Sequence, residues 1–426
     1  MQSLRGMRDI LPGESARWQS LEARVARLMQ RFAYREIRTP IAEPTELFKR
    51  GIGEDTDVVS KEMYTFDDRS GDSITLRPEN TASVVRAALQ HNLVARGAQE
   101  KVFYVGPMFR YERPQRGRYR QFHQIGAEAL GIAGPQVEVE LIALARRLFD
   151  EMTLLPHLTL EINTLGQPPE RKQHRDALVE YFAAHRAELD EDSVKRLDNG
   201  NPLRILDSKN PALQDLIEGA PKLMDYLGEE SEAHFAKVKA MLEEMGQPYV
   251  VNNRLVRGLD YYWHTVFEWT TNLLGSQGTV CGGGRYDGLF EQLGGKLIPA
   301  AGWGMGMERL LELAEEVGAF DDVPQVDVYL VASGERAEVV SAAVLDCIRS
   351  DNPSLNVASA TEQVSFKAQF KRADKSGAQL ALVLGDDEVS AGQISIKWLR
   401  DLRDPETVAL SEISNWLSVN LATQNT

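Results

Sequence analysis

KVFYVGPMFRYERPQRGRYRQFHQIGAEALG, residues 101–131, decides how this chain is read. KVFYVGPMF (101–109) is rich in aromatic and β-branched residues and predicts a strand; QFHQIGAEALG (121–131) predicts a second. An arginine-rich loop joins them, so the pair forms a long-looped hairpin with antiparallel pairing. Over residues 106–121, Arg110, Arg113, Arg116, Arg118 and Arg120 stand against a single acid, Glu112. Guanidinium groups offer planar paired donors suited to phosphate and carboxylate, so the loop could converge on a polyphosphate; a solvated basic loop is the other reading.

That local charge contrasts with the whole chain. The 426 residues carry a net charge of −15, which excludes coating nucleic acid through bulk positive charge but not gripping RNA through local patches. At about 150 residues per domain, the length suggests two or three domains. No segment approaches the roughly 20 apolar residues of a membrane helix. The opening MQSLRGMRDILPGES has no apolar signal core, and two cysteines, Cys281 and Cys347, build neither a disulfide framework nor a metal pair. A reducing cytoplasm is expected.

Outward from the hairpin, residues 14–33 predict an amphipathic helix with Trp18, Leu21, Val25, Leu28, Met29 and Phe32 at helical spacing, following Pro12 and Gly13. The extended EIRTPIAEP (36–44) follows, where Pro40 and Pro44 forbid helix. TVFEWTTN (265–272) is a further strand candidate. Residues 170–246 are polar and helix-rich and interrupt the strand motifs like an inserted module. From about 324, strand and helix alternate, predicting a small α/β domain with a parallel or mixed sheet.

GWGMGMER (302–309) fits G-x-G-x-G-x-x-R: alternate glycines suit a strand approached closely by a backbone or a flat ring, with Arg309 in the first turn of the next helix, although a glycine-rich turn into a helix would look the same. LVRGLDYYWHTVFEW (255–269) and CGGGRYDGL (281–289) place Arg257, Tyr261, Tyr262, Arg285 and Tyr286 in segments too polar for simple core. There is no HExxH, Walker A loop or GxSxG, and the histidines show no ligand spacing, so no protein-held metal is expected.

Together these motifs resemble the class II aminoacyl-tRNA synthetases and, within the class, the histidine family. The segment around Pro40 resembles motif 1; FRYE followed by RQFHQIGAE resembles motif 2; GWGMGMER resembles motif 3. LVRGLDYY, GGGRYDGL, RGMRDILP and TLRPENTA (75–82) resemble signatures of the histidine enzymes. One position departs: many members have Gly after the glutamate of RPE, where this chain has Asn80.

The resemblance implies an α/β fold with an α+β catalytic core on an antiparallel sheet flanked by helices (1–169 and 247–320), a helical insertion (170–246) and a C-terminal α/β anticodon-binding domain (324–426). It implies a homodimer built through motif 1. It implies histidine activation by ATP with Mg²⁺, then transfer of histidine to the 3′ end of tRNA(His). Arg110 and Arg257 would be catalytic. ATP would meet Arg110, Glu112, Arg118, Phe122 and Arg309. Histidine would meet Glu79, Thr81, Arg110, Gln124, Glu128, Arg257, Tyr261, Tyr262 and Tyr286, with Glu128 and Tyr262 on the imidazole. Lys367, Lys371, Arg372 and Lys375 form either a phosphate-facing patch for tRNA or a solvated helix face. Two other readings are a non-catalytic synthetase-like regulatory subunit of ATP phosphoribosyltransferase, and a class II synthetase for another amino acid such as proline or threonine.

Overall fold

A computed structural model describes every residue except 55, 207, 209, 257, 258, 260, 276, 277, 320–325 and 422–426. The chain divides into two compact units, residues 1–320 and 321–426.

The first unit contributes eleven strands among the described residues: β1 (Arg35–Glu36), β2 (Ala42–Pro44), β3 (Tyr64–Asp67), β4 (Ser73–Leu76), β5 (Glu100–Phe109), β6 (Gln121–Leu130), β7 (Thr159–Thr164), β8 (Val250–Val251), β9 (Trp263–Thr270), β10 (Thr279–Arg285) and β11 (Ala300–Gly306). Eight of them form one sheet in the order β1-β5-β6-β11-β10-β9-β7-β8, and β2-β4-β3 form a small second sheet. The predicted hairpin forms the second and third strands of the large sheet: β5 and β6 pair antiparallel from Glu100↔Leu130 to Phe109↔Gln121. The sheet is antiparallel from β5 to β7; only the two-residue rim strands β1 and β8 pair parallel. Tyr104 lies opposite Gly126, where any Cβ would overlap the tyrosine ring.

The first helix is Pro12–Arg31, not 14–33. Pro12 occupies the first helical position, where its missing N–H costs nothing, and the chain leaves the helix as Ala33 takes a positive φ of 62°. Trp18, Leu21, Val25, Leu28 and Met29 are buried along it. At about 1.5–3 kcal/mol for each large apolar side chain, this stripe outweighs propensity differences of about 0.7 kcal/mol or less per residue. With helix Gln136–Glu151 it covers one face of the sheet; helix Thr81–Gln90 packs on the other, beside the site.

Between β7 and β8 lie helices Pro168–Ala184, Glu191–Asp198, Leu203–Leu206, Gln214–Glu218 and Glu229–Glu244. Leu178, Phe182, Leu197, Ile205 and Leu213 form a cluster of their own there. Helix Glu229–Glu244 instead faces the main core through Phe235, Val238 and Leu242.

The second unit has β12 (Val328–Ser333), β13 (Val357–Ser359), β14 (Leu380–Gly385), β15 (Gln393–Trp398) and β16 (Glu406–Ala409), in the order β13-β12-β14-β15-β16. The first three are parallel and the last two antiparallel, so the sheet is mixed. Helix Phe366–Lys375 leaves Lys367, Lys371, Arg372 and Lys375 exposed. Arg372 is already paired with Glu362. Among the described residues no helix is long and apolar enough to cross a membrane.

Candidate functional site

A cavity of about 250 Å³ opens over the middle of the large sheet. Its floor is Gly282 of β10, Gly304 and Gly306 of β11, and Phe122 and Gln124 of β6. The hairpin loop supplies Arg110, Glu112 and Arg118; the entry to helix Thr81–Gln90 supplies Glu79 and Thr81. Tyr261, Tyr262 and Arg309 complete the predicted residues that line it.

One end is cationic. The Arg110 Nε donates to the Pro78 carbonyl at 2.7 Å, and its guanidinium lies 5.3 Å from the Phe122 ring centre and 3.9 Å from Glu112. Arg118 pairs with Glu112. Arg309 donates to the Thr279 carbonyl. Burial, and then the neighbouring Arg118, push the Arg309 guanidinium below its ordinary pKa. Burial does the same to Arg118, with Arg110 adding to it. Like charges held this close favour a polyanion between them.

The loop does not deliver all five arginines. Gly117, with φ +68°, lets the chain turn back so that Gln115 bridges Arg118, and alternate side chains leave on opposite sides. Arg116 reaches Glu316 at 3.0 Å. Arg120 lies 3.6 Å over the Tyr111 ring and donates to the Glu112 carbonyl. Arg113 is exposed. Convergence therefore holds for Arg110 and Arg118 and fails for the other three.

The other end is built to accept. Glu79 takes backbone N–H bonds from Thr81 (2.7 Å) and Ala82 (2.9 Å). Burial raises its pKa while those amides work against the rise. Gln124 Oε1 is buried without a hydrogen-bond partner, an acceptor left over at the cavity floor. Tyr261 and Tyr262 pack with ring centres 4.6 Å apart.

Glu128 and Tyr286 do not line the cavity; they stand behind its wall. Both are buried, and the Tyr286 hydroxyl donates to Glu128 Oε2 at 2.5 Å while Thr81 Oγ1 donates to Oε1 at 2.7 Å. Burial pushes the Glu128 carboxyl up to about 8. Glu128 sits opposite Gly302, and a Cβ there would overlap its carboxylate. Gly304 and Gly306 lie on the same face toward Gln124 and Arg309, where a Cβ would make only ordinary contact at 3.4 and 3.9 Å.

Asn80 points away from the cavity. Its Oδ1 accepts from Thr39 Oγ1 (2.7 Å) and Arg77 Nη1 (3.1 Å), tying the residues before β2 to this helix entry. Arg257 lies outside the described residues. Sequence reasoning missed Tyr104, Tyr119, Thr279 and Glu308, all of which line the cavity. Glu308 adjoins Arg309 in GWGMGMER, and the His123 backbone N–H (3.0 Å) and ring (3.1 Å) hold its carboxylate. Tyr104 carried a signal in its alternation along β5 opposite Gly126.

The family model for histidyl-tRNA synthetase matches residues 6–310. The chain belongs to the histidyl-tRNA synthetase family. A model for an anticodon binding domain matches residues 327–420. Apo histidyl-tRNA synthetase from S. aureus superposes with TM-score 0.81 at 37% identity, covering 98% of this chain and 99% of that one. Two structures share the fold at lower identity: histidyl-tRNA synthetase from Nostoc (TM-score 0.72, 19% identity, 99% of each chain), and a Bacillus halodurans protein described as an ATP phosphoribosyltransferase regulatory subunit/histidyl-tRNA synthetase (0.60, 21%, 90% of this chain and 97% of that one). The synthetase family match spans every segment that lines the cavity.

Proposed function

We propose that this chain is a histidine–tRNA ligase acting in two steps. A carboxylate oxygen of L-histidine attacks the α-phosphorus of ATP, the bond to the β-phosphate breaks, and histidyl-adenylate and pyrophosphate form. The 3′-terminal adenosine of tRNA(His) then takes the histidyl group. ATP enters as its Mg²⁺ complex, the ion being part of the substrate.

The single observation that carries this reading is the polarity of one cavity. Arg110, Arg118 and Arg309 gather at one end, and Glu79 with the unpartnered Gln124 acceptor at the other. The attacking carboxylate is already ionised near pH 7, so the site needs no general base. It needs positioning and neutralisation of charge at phosphorus. Arg110 would hold the α-phosphate and the histidine carboxylate, with Arg257 approaching from the other side by the family resemblance. Arg309 would bind the γ-phosphate and lie against adenine, and Arg118 the outer phosphates. Glu112 would accept from the adenine amino group, and Phe122 would stack on the base. Glu79, Thr81 and Gln124 would take the ammonium group. Glu128 and Tyr262 would read the imidazole, with Tyr261 and Tyr286 closing the pocket.

Residues 1–169 and 247–320 would form the catalytic core, 170–246 the insertion that meets the acceptor stem, and 324–426 the anticodon-binding domain. Lys367, Lys371, Arg372 and Lys375 would face tRNA phosphates. The chain would work in the cytoplasm as a homodimer through the motif 1 segment. Exposure of Ile41 and Phe66 at and near the small sheet supports that interface. Arg110, Glu112 and Arg309 around the cavity, with an anticodon-binding match behind them, favour the ligase over the regulatory subunit.

The test is amino-acid-dependent ATP–pyrophosphate exchange without tRNA, across all twenty amino acids. Exchange with histidine alone is expected. Exchange with a different amino acid would overturn the imidazole reading, and none at all from a chain that binds histidine would favour the regulatory subunit.

A further inference from the structure

Behind the tyrosines of the cavity runs a buried polar chain that the reaction itself does not use. It begins on helix Glu229–Glu244, the last helix between β7 and β8. There His234 donates from Nε2 to Glu138 Oε1 at 2.8 Å. Glu138 is fully buried on helix Gln136–Glu151, and Arg285 grips it with two bonds, at 3.2 and 3.1 Å. Arg285, at the end of β10, also bonds Asp287 at 3.0 Å and the Gly134 carbonyl at 2.7 Å. Between Arg285 and Asp287 stands Tyr286, whose hydroxyl holds Glu128.

The other end of the same insertion is fastened to the same place. Arg171, on helix Pro168–Ala184, donates to the Tyr262 carbonyl at 2.9 Å. The backbone of His264 bonds both Gly166 (2.8 Å) and Leu165 (2.7 Å), the residues that lead into that helix. His264 takes a positive φ of 45°, a conformation that a non-glycine residue keeps only when its surroundings impose it. Its ring stacks on His234 at 4.8 Å. Both roots of the helical segment therefore close on residues 262–264 and 285–287, which carry Tyr262 and Tyr286.

We propose that His234 and Arg171 are positioning residues. They fasten the insertion to the two tyrosine-bearing segments, so that the histidine pocket is set from the insertion. The inference rests on the reading of Tyr262, Tyr286 and Glu128 as the imidazole end of the site. Neither His234 nor Arg171 lines the cavity. Each acts through a hydrogen bond to a carboxylate or a carbonyl, and such bonds hold orientation rather than contribute affinity directly. Loss of one should loosen the pocket for histidine and leave the nucleotide end, around Arg110, Arg118 and Arg309, as it was.

The experiment is steady-state pyrophosphate exchange on the full chain, with KM for histidine and for ATP measured separately. His234→Ala and Arg171→Ala are each expected to raise the histidine KM about tenfold, the scale of one hydrogen bond to a charged group, with the ATP KM unchanged. His234→Gln, whose amide can still donate to Glu138, is expected to recover most of the loss. An unchanged histidine KM, or an equal rise for both substrates, would overturn the proposal. So would a His234→Gln variant as impaired as His234→Ala. If His234→Ala fails to fold, Arg171→Ala still gives the split between the two substrates. If the unaltered chain shows no histidine-dependent exchange, the functional reading fails first, and the outcome is distinguishable because no variant is needed to see it.

Discussion

The Tyr286 hydroxyl meets the Glu128 carboxylate at 2.5 Å with both side chains buried, 158 residues apart in the chain. Burial raises the Glu128 carboxyl to about 8, while Tyr286 and Thr81 restrain the rise. Tyr286→Phe removes one restraint. It should raise the histidine KM by about tenfold and leave the ATP KM in place, since it leaves a buried Glu128 oxygen without its partner. Exchange kinetics with each substrate varied in turn will check this.

The same shift makes stability depend on pH. An acid whose folded pKa lies above its ordinary 4.5 binds its proton more tightly when folded. Its stabilising contribution is full below that value and is lost as pH rises through about 8. Glu128→Gln cannot ionise, so its melting temperature should gain on the wild type as pH climbs from 5 to 8. The change in relative stability across that range is expected on the order of a few kcal/mol. Parallel thermal melts across that range measure it; a constant gap would refute the assignment.

Arg110 is placed by the Pro78 carbonyl and the Phe122 face. A lysine has neither the planar fork nor the reach to reproduce that geometry. Arg110→Lys should lower kcat for adenylate formation by about 10²-fold or more, as loss of a donor at a developing charge does. Single-turnover adenylate formation, with binding measured separately, reads it.

Burial, and then Arg118, lower the proton affinity of the Arg309 guanidinium, and burial, with Arg110 adding to it, does the same to Arg118, so three like charges share this partly buried end. MgATP should relieve that repulsion. The wild type should therefore gain melting temperature with MgATP, and Arg309→Ala should gain markedly less. High salt should shrink both gains.

On the second unit, Lys367, Lys371 and Lys375 are exposed along one helix. Changing all three to alanine should raise the KM for tRNA and lower the salt slope of binding by roughly one per lysine. Adenylate formation should be unaffected. An unchanged salt slope would make them an ordinary solvated face.

What the sequence disclosed was local. The β5–β6 hairpin could be read because both strands and their turn lie within thirty-one consecutive residues. The pairings of β7 with β9 and of β6 with β11 could not, since their partners lie more than a hundred residues apart. The same limit divided the site. Arg110, Glu112 and Arg118 were visible as a charged loop. Which arginines face inward was decided by Glu312 and Glu316, about two hundred residues away, drawing Arg116 outward. Glu128 was singled out through family resemblance alone; its burial depends on Gly302 across the sheet. Glu308 went unnoticed because it is an ordinary residue until the sheet closes over it.

Gly302 leaves room for Glu128, and Gly304 and Gly306 on the same face lie toward Gln124 and Arg309. At roughly 3.3 Å per residue the first and last lie about 13 Å apart along β11. One strand thus works as a ruler, with three alternate marks on one face, and the amino acid and the nucleotide are gauged against the same edge. Slipping that strand by a single residue would turn all three marks to the opposite face. Both substrates would then lose their seats together, so the alignment of the two reactants is stored in the register of β11 against β6.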